Sequence, residues 1–212
     1  MEIPSKPEFM IRNQDDVGFM KNLAEKLKKQ LRVDPSRLYV TGISDGGMMT
    51  HLLAAELPET FAAAAPIAGL SQLRASINAP LQTIGVPRAP IPMVIAQGTA
   101  DKYVPYIGGK CANPDSNNLV GSFADTIRFW LDGNRATSSM PSSTELNAKK
   151  GYMLSIYDSG KAPVIAITVI NGTHSWGKNG IMTSRDFSEI IWEQLSKFTK
   201  AKRTITPTDG GM

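Results

Sequence analysis

An α/β fold, with a mostly parallel sheet and helices on its faces, is what this sequence predicts, and three observations predict it. Strand-like and helix-like segments alternate from residue 15 to the end. The runs RLYVTGI (37–43), IPMVIAQ (91–97) and VIAITVI (164–170) are short and apolar, as buried strands are. Only one neighbouring pair of strands, 152–157 and 164–170, has turn residues (Asp158, Ser159, Gly160) between its members, so one antiparallel hairpin is expected near an edge. A length of 212 residues suits one domain with a substantial core and is too short for two ordinary ones.

The elements follow in order. Residues 1–14 are polar and proline-broken, an irregular lead-in. Asp15 or Asp16 caps a helix over 15–31, with Val17, Met20, Leu23, Leu27 and Leu31 at helical spacing. Val33-Asp34-Pro35-Ser36 breaks the chain before the strand 37–43. A second helix covers 48–57, and the alanine-rich FAAAAPI (61–67) reads as a strand. Residues 70–89 are mixed, 106–118 are a loop and 133–150 an exposed loop. Phe123, Ile127, Trp130 and Leu131 mark a helix over 122–131. Phe187, Ile190, Ile191, Leu195 and Phe198 mark a last one over 185–199. The tail 204–212 reads as disordered.

Composition excludes several functions. Hydrophobic residues make up 42% and charged residues 20%, as in an ordinary globular protein. The net charge of +4 is too mild for a nucleic-acid footprint, and Lys197, Lys200, Lys202 and Arg203 sit where a helix C-terminus favours cations. The lone Cys111 forbids an intrachain disulfide and a thiolate zinc site, and no plausible paired base makes it a nucleophile. No apolar run is long enough to span a membrane, and the N-terminus lacks the pattern of a signal peptide. No nucleic-acid or membrane partner is expected, and no metal or cofactor.

Gly42-Ile43-Ser44-Asp45-Gly46 matches G-x-S-x-G. The pentapeptide alone is weak evidence, but it follows a strand and opens a helix, the setting a nucleophile elbow needs. The turn is expected to be so tight that the positions two residues either side of Ser44 must be glycine. It would aim the helix N-terminus at a developing oxyanion. A serine hydroxyl needs a base, and the chain has 2 histidines. His51 lies seven residues on, about 10 Å along the helix, too far to take the proton, and reads as a helix-face histidine with a local partner. His174 follows the strand 164–170, where an open α/β sheet collects its site. Among the aspartates, Asp125 and Asp132 belong to or flank a helix and Asp158 fits a turn. Asp101 alone stands at a strand end. The order Ser44, Asp101, His174 is that of α/β-hydrolases.

These stretches resemble the polyhydroxybutyrate depolymerase and feruloyl esterase-like group of α/β-hydrolases. The resemblance is carried by DDVGFMKNLAEKL, VDPSRLYVTGISDGGMMTHLLAAELPETFAAAAPIAG, QGTADKYVPYIGG, ADTIRFWLDGN, NGTHSWG and DFSEIIWEQLSKF. A histidine is usual in that group where Gln97 stands, and a proline where Gly177 stands. The resemblance implies Ser44 as nucleophile, Asp101 as acid and His174 as base. It also implies the Asp45 N–H as one oxyanion donor and Trp176 as a pocket wall, although Trp176 could equally be packing. It further implies several strands before residue 15, one ending in a loop that gives the second oxyanion donor, and residues 1–14 cannot supply them. The sequence therefore reads as an N-terminally truncated α/β-hydrolase, its partial catalytic core spanning 15–203.

Two functions follow. One is a serine esterase acting on a hydroxyalkanoate oligomer, a feruloyl ester or a short-chain ester. The other is a catalytically impaired fragment that associates with itself or a partner through an exposed strand edge. Resembling proteins are often exported, so the compartment stays open.

Overall fold

The computed structural model describes residues 15–74, 82–112 and 118–200. The expected lead-in and tail lie outside them. Helix α1 (Asp16–Gln30) leads into β1 (Tyr39–Ile43), α2 (Asp45–Glu56) and β2 (Ala63–Ile67). Short strands β3 (Gln72–Arg74) and β4 (Gln82–Thr83) precede β5 (Met93–Gly98). Then come β6 (Gly109–Lys110), β7 (Leu119–Val120), α3 (Phe123–Gly133), β8 (Ser143–Asn147), β9 (Tyr152–Tyr157), β10 (Val164–Val169) and α4 (Ser184–Leu195).

The main sheet runs β1-β2-β5-β10-β9-β8. The first four strands are parallel, and β9 and β8 are antiparallel to their neighbours. Its core follows the period of two that a strand imposes. Met93 and Ile95 of β5 and Val164 and Ala166 of β10 face Leu52 and Leu53 of α2 and Ile127 and Trp130 of α3. The alternate residues Val94, Ala96, Ile165 and Ile167 face Phe187, Ile190 and Ile191 of α4. Each fully buried side chain of this size contributes roughly 1.5–3 kcal/mol. Three of the five residues of β2 are alanine because α2 and its glycine-rich start press on it. A side chain on Gly47 would meet the Ile67 carbonyl at 2.6 Å.

Three sequence expectations change. The stretch 133–150 is not all loop: Ser143–Asn147 forms the edge strand β8. Its residues are almost all exposed, so it carries no hydrophobic alternation to read. Residues 70–89 and 106–118 contribute to a second, four-stranded sheet ordered β4-β3-β7-β6, from pairings too short to show periodicity. In α1, Val17 and Met20 pack on the core but Leu27 and Leu31 stay exposed, so only one end of the expected stripe is covered. Among the described residues β1 pairs with β2 alone. No helix among them is long and apolar enough to cross a membrane.

Candidate active site

Ser44 joins β1 to α2 with φ 58° and ψ −122°, a sparsely populated conformation for a residue with a Cβ. It stands at the N-cap of α2, yet its hydroxyl caps nothing. Instead the backbone holds it: its N–H donates to Ile67 C=O at 3.0 Å, and its C=O accepts from Met48 N–H at 2.9 Å. The elbow is close-packed by glycines, though not quite those expected. A Cβ on Gly42 would sit 2.4 Å from the Gly46 carbonyl oxygen, and one on Gly69 2.5 Å from that of Ser44. Gly46 itself faces open space. The close approaches belong to Gly42, Gly47 and Gly69. Asp45 opens α2, so its N–H is one of the first-turn donors without an intrahelical acceptor.

Asp101 follows β5. Its side chain is fully buried. Oδ1 accepts from the N–H groups of Tyr103 and Val104, both at 2.9 Å, and Oδ2 accepts from Gln97 Nε2 at 3.1 Å. His174 follows β10, and its Nδ1 lies 2.8 Å from Asp101 Oδ2. Its Nε2 lies 2.9 Å from Ser44 Oγ. A carboxylate can only accept, so Nδ1 carries the proton in the neutral ring and Nε2 is left to accept from the serine hydroxyl. The segments after β5 and β10 meet through a close backbone contact: a Cβ on Gly98 would meet the Gly172 carbonyl oxygen. Ala100 N–H donates to that same carbonyl at 2.9 Å.

Asp125 and His51 take structural places. Asp125 completes the capping box of α3 with Ser122, whose hydroxyl holds its carboxyl below the usual carboxylate range. His51 is not on an exposed helix face, and its partners are distant in sequence. It is completely buried, its Nε2 3.0 Å from Gly69 C=O and its Nδ1 2.8 Å from Trp130 Nε1. An indole N–H only donates, so Nδ1 accepts and Nε2 donates to Gly69. Burial pushes this imidazole down to about 3. Burial, then the charge of Asp101, pushes the Cys111 thiol up. Trp176 is anchored to α4: its Nε1 donates to Ser188 Oγ at 2.8 Å and its ring meets Phe187 edge-on.

Two neighbours of the site were not singled out for a role by sequence reasoning. Tyr103 is 56% exposed and its ring centroid lies 5.3 Å from that of His174, so it walls the imidazole. The signal available was an aromatic two residues after the strand-end aspartate. Gln97 was visible as a departure from a family histidine, but its bond to Asp101 was not. A groove of about 620 Å³ lies by Thr60, Phe61 and Ile91, where strands begin, away from the strand ends that carry the three side chains. Among the described residues no three His, Cys, Asp or Glu side chains cluster as metal ligands do.

Comparison with known proteins agrees with this architecture. Residues 13–89, which include the elbow, match the prolyl oligopeptidase family. The chain is 29% identical over 174 residues to the esterase-named protein NocK of Nocardia uniformis subsp. tsuyamanensis, covering 76% of this chain and 48% of that one. Over 64 residues it is 44% identical to poly(3-hydroxyalkanoate) depolymerase C of Paucimonas lemoignei, covering 30% and 16%. Over 160 residues it is 28% identical to feruloyl esterase B of Piromyces equi, covering 74% and 28%. The chain thus spans about half the length of the first of these relatives and less of the others. An acetyl xylan esterase structure from Aspergillus awamori superposes with a TM-score of 0.58 at 20% identity, covering 85% of this chain and 66% of that one. The chain has the α/β-hydrolase fold. Within it, the relatives are esterases of the polyhydroxyalkanoate depolymerase and feruloyl esterase kind.

Proposed function

We propose that the chain is a serine hydrolase of carboxylic esters, with Ser44 as nucleophile, His174 as general base and acid, and Asp101 as the orienting carboxylate. The observation that carries the reading is the unbroken hydrogen-bonded line from Ser44 Oγ through His174 to Asp101, set where three strands end. As Ser44 Oγ attacks the ester carbonyl, His174 Nε2 takes its proton and Asp101 stabilises the imidazolium. The Asp45 N–H, at the positive end of α2, donates to the oxyanion. His174 then protonates the leaving alcohol. Water, deprotonated by the same imidazole, attacks the acyl carbonyl, and the imidazolium protonates Ser44 Oγ as the acid product leaves. No step calls for a metal or cofactor.

The substrate is a hydroxyalkanoate oligomer, a feruloyl ester or a short-chain ester, the first two being what the names of two relatives specify. Trp176, beside the base on the same loop, lines the substrate pocket in this reading. p-Nitrophenyl butyrate hydrolysis tests it. Ser44→Ala is expected to lower kcat by more than about 10³-fold; equal turnover by the variant sinks the proposal. A second reading, self-association through the outer side of β1, is favoured only by β1 pairing with β2 alone among the described residues. A monomer in sedimentation velocity at micromolar concentration removes it.

A further inference from the structure

We propose that Gln97 is a positioning residue for the proposed triad, aiming Asp101 at His174; the inference rests on the esterase reading of the site. Gln97 lies on β5, four residues before Asp101, and is 1% exposed. Its Nε2 donates twice, to Asp101 Oδ2 at 3.1 Å and to Val104 C=O at 2.6 Å. Both partners only accept, so the amide cannot be turned over: its oxygen would then face two acceptors. The consequence falls on Oε1, which is buried and has no hydrogen-bond donor among the described residues. Leucine or methionine would fill that space without an unpaired polar atom. The amide is explained by where its two N–H groups point.

They point at both sides of the turn that cradles the carboxylate. Oδ1 is already held by the N–H groups of Tyr103 and Val104, which fix the near oxygen to the loop. Oδ2 is the oxygen shared with His174, and Gln97 is the other donor recorded on it. Gln97 therefore joins the two backbone N–H groups in setting the rotation of the carboxylate about its Cβ–Cγ bond, and with it the direction in which Nδ1–H of His174 is pulled. Through the Val104 carbonyl it also ties the loop back to β5. Gln97 touches neither Ser44 nor the reacting atoms; it acts through Asp101.

The test compares wild type with Gln97→Met and Gln97→Glu. Because the chain has 2 histidines, the downfield Nδ1–H resonance of His174 can be followed by NMR in histidine-labelled protein, with no need for turnover. In Gln97→Met we expect kcat to fall about 10-fold with KM within about twofold, and the resonance to shift or broaden. Gln97→Glu keeps the shape and sets a second carboxyl against Asp101, so the pair shares one proton. With His174 and Cys111 as the titratable groups nearest Asp101, and Tyr103 against the imidazole, its kcat profile should fall at alkaline pH where wild type does not, and recover as the introduced carboxyl regains a proton to donate. A Gln97→Met protein with lowered thermal stability but unchanged kcat and resonance overturns the inference. If Gln97→Met does not fold, a Gln97→Glu profile superimposing on wild type overturns it. Absence of esterase activity in wild type would instead refute the reading of the site, while the resonance comparison still decides the role of Gln97.

Discussion

Acid should weaken this fold through one imidazole that never meets a substrate. His51 is completely buried and both of its ring nitrogens are engaged, with Gly69 and Trp130, as only the neutral ring allows. Desolvation lowers its pKa from 6.5 to about 3. The sign follows. Above about pH 6.5 neither the folded nor the unfolded chain protonates this group, and its stabilisation is fully present. Below that, the unfolded chain takes up a proton that the folded one refuses, so stability falls as pH drops, until the folded-state value near 3. At about 1.36 kcal/mol per unit, acidification from about pH 7.5 to about pH 4.5 costs on the order of 2–3 kcal/mol through His51 alone. That is a large share of the roughly 5–15 kcal/mol of a typical domain. Urea unfolding followed by circular dichroism at the two pH values measures it. His51→Gln is the control, since glutamine offers a donor to Gly69 and an acceptor to Trp130 but does not titrate. Carboxylates held low by their caps, such as Asp186 beside the Thr183 hydroxyl, lose stability in acid in both proteins and cancel in the comparison. The expected result is an acid-induced loss on the order of 2–3 kcal/mol greater in wild type than in His51→Gln. Equal losses in the two proteins would refute the argument.

The remaining expectations concern local geometry. Gly42→Ala drives a methyl onto the Gly46 carbonyl oxygen at 2.4 Å and should abolish folding or activity, whereas Gly46→Ala meets nothing within 4 Å and should stay within about 1 kcal/mol of wild type in urea unfolding. Trp130→Phe removes the N–H that satisfies His51 Nδ1 and leaves a buried acceptor unpaired. Loss of the hydrogen bond and of indole packing should cost about 2–4 kcal/mol, read as a lower denaturation midpoint with unchanged slope. Gly177 has φ +67°, which a proline near −65° cannot adopt, so Gly177→Pro should lower the melting temperature even though resembling proteins carry proline there.

What could be read from the sequence depended on the range of the interaction. The stretch from β1 through α2 was legible because a short apolar run, a glycine-spaced serine and a helical run follow one another without a gap. The parallel core strands were legible because they are buried on both faces. Edge strand β8 was not, since Ser-Thr-Glu-Leu-Asn carries no alternation of apolar and polar residues and shows almost every side chain to solvent. His51 was expected to find a local partner, but its ring binds Gly69, 18 residues away, and Trp130, 79 residues away. Spacing along one helix carries no information about either. Gly46 looked obligatory because a motif records which residues recur and not which of them is crowded. The three candidate triad side chains could be nominated from strand-end positions and from there being 2 histidines, and the fold brings them within hydrogen-bond distance. The donor set on Asp101 was beyond reach, because it depends on how the chain turns back after β5.

The alignment of the candidate site is in the end a property of the sheet. Ser44 N–H donates to Ile67 C=O, Ala68 N–H to Ala96 C=O, and Thr99 N–H to Val169 C=O, each at 3.0 Å. These three bonds continue the parallel ladders at or beyond the strand ends, crossing from β1 to β2 to β5 to β10. Ser44 hangs from the first, Asp101 from the turn after the third and His174 from the loop after Val169. Asp101 and His174 are further joined by the Gly98–Gly172 contact, so the turns that carry them touch backbone to backbone. Ser44 is tied to that pair by the 2.9 Å bond to His174 and, at longer range, by β2. Register between β2 and β5 is therefore the coordinate that decides whether Ser44 and His174 stay in reach. The recorded pairings there are few, Ala64 with Met93 and Ile67 with Ala96, and the second lies beside the first two bonds of the row. His51 bonds Gly69 just beyond that point. Its burial, costly in acid, thus fixes the segment on which the strained Ser44 backbone rests.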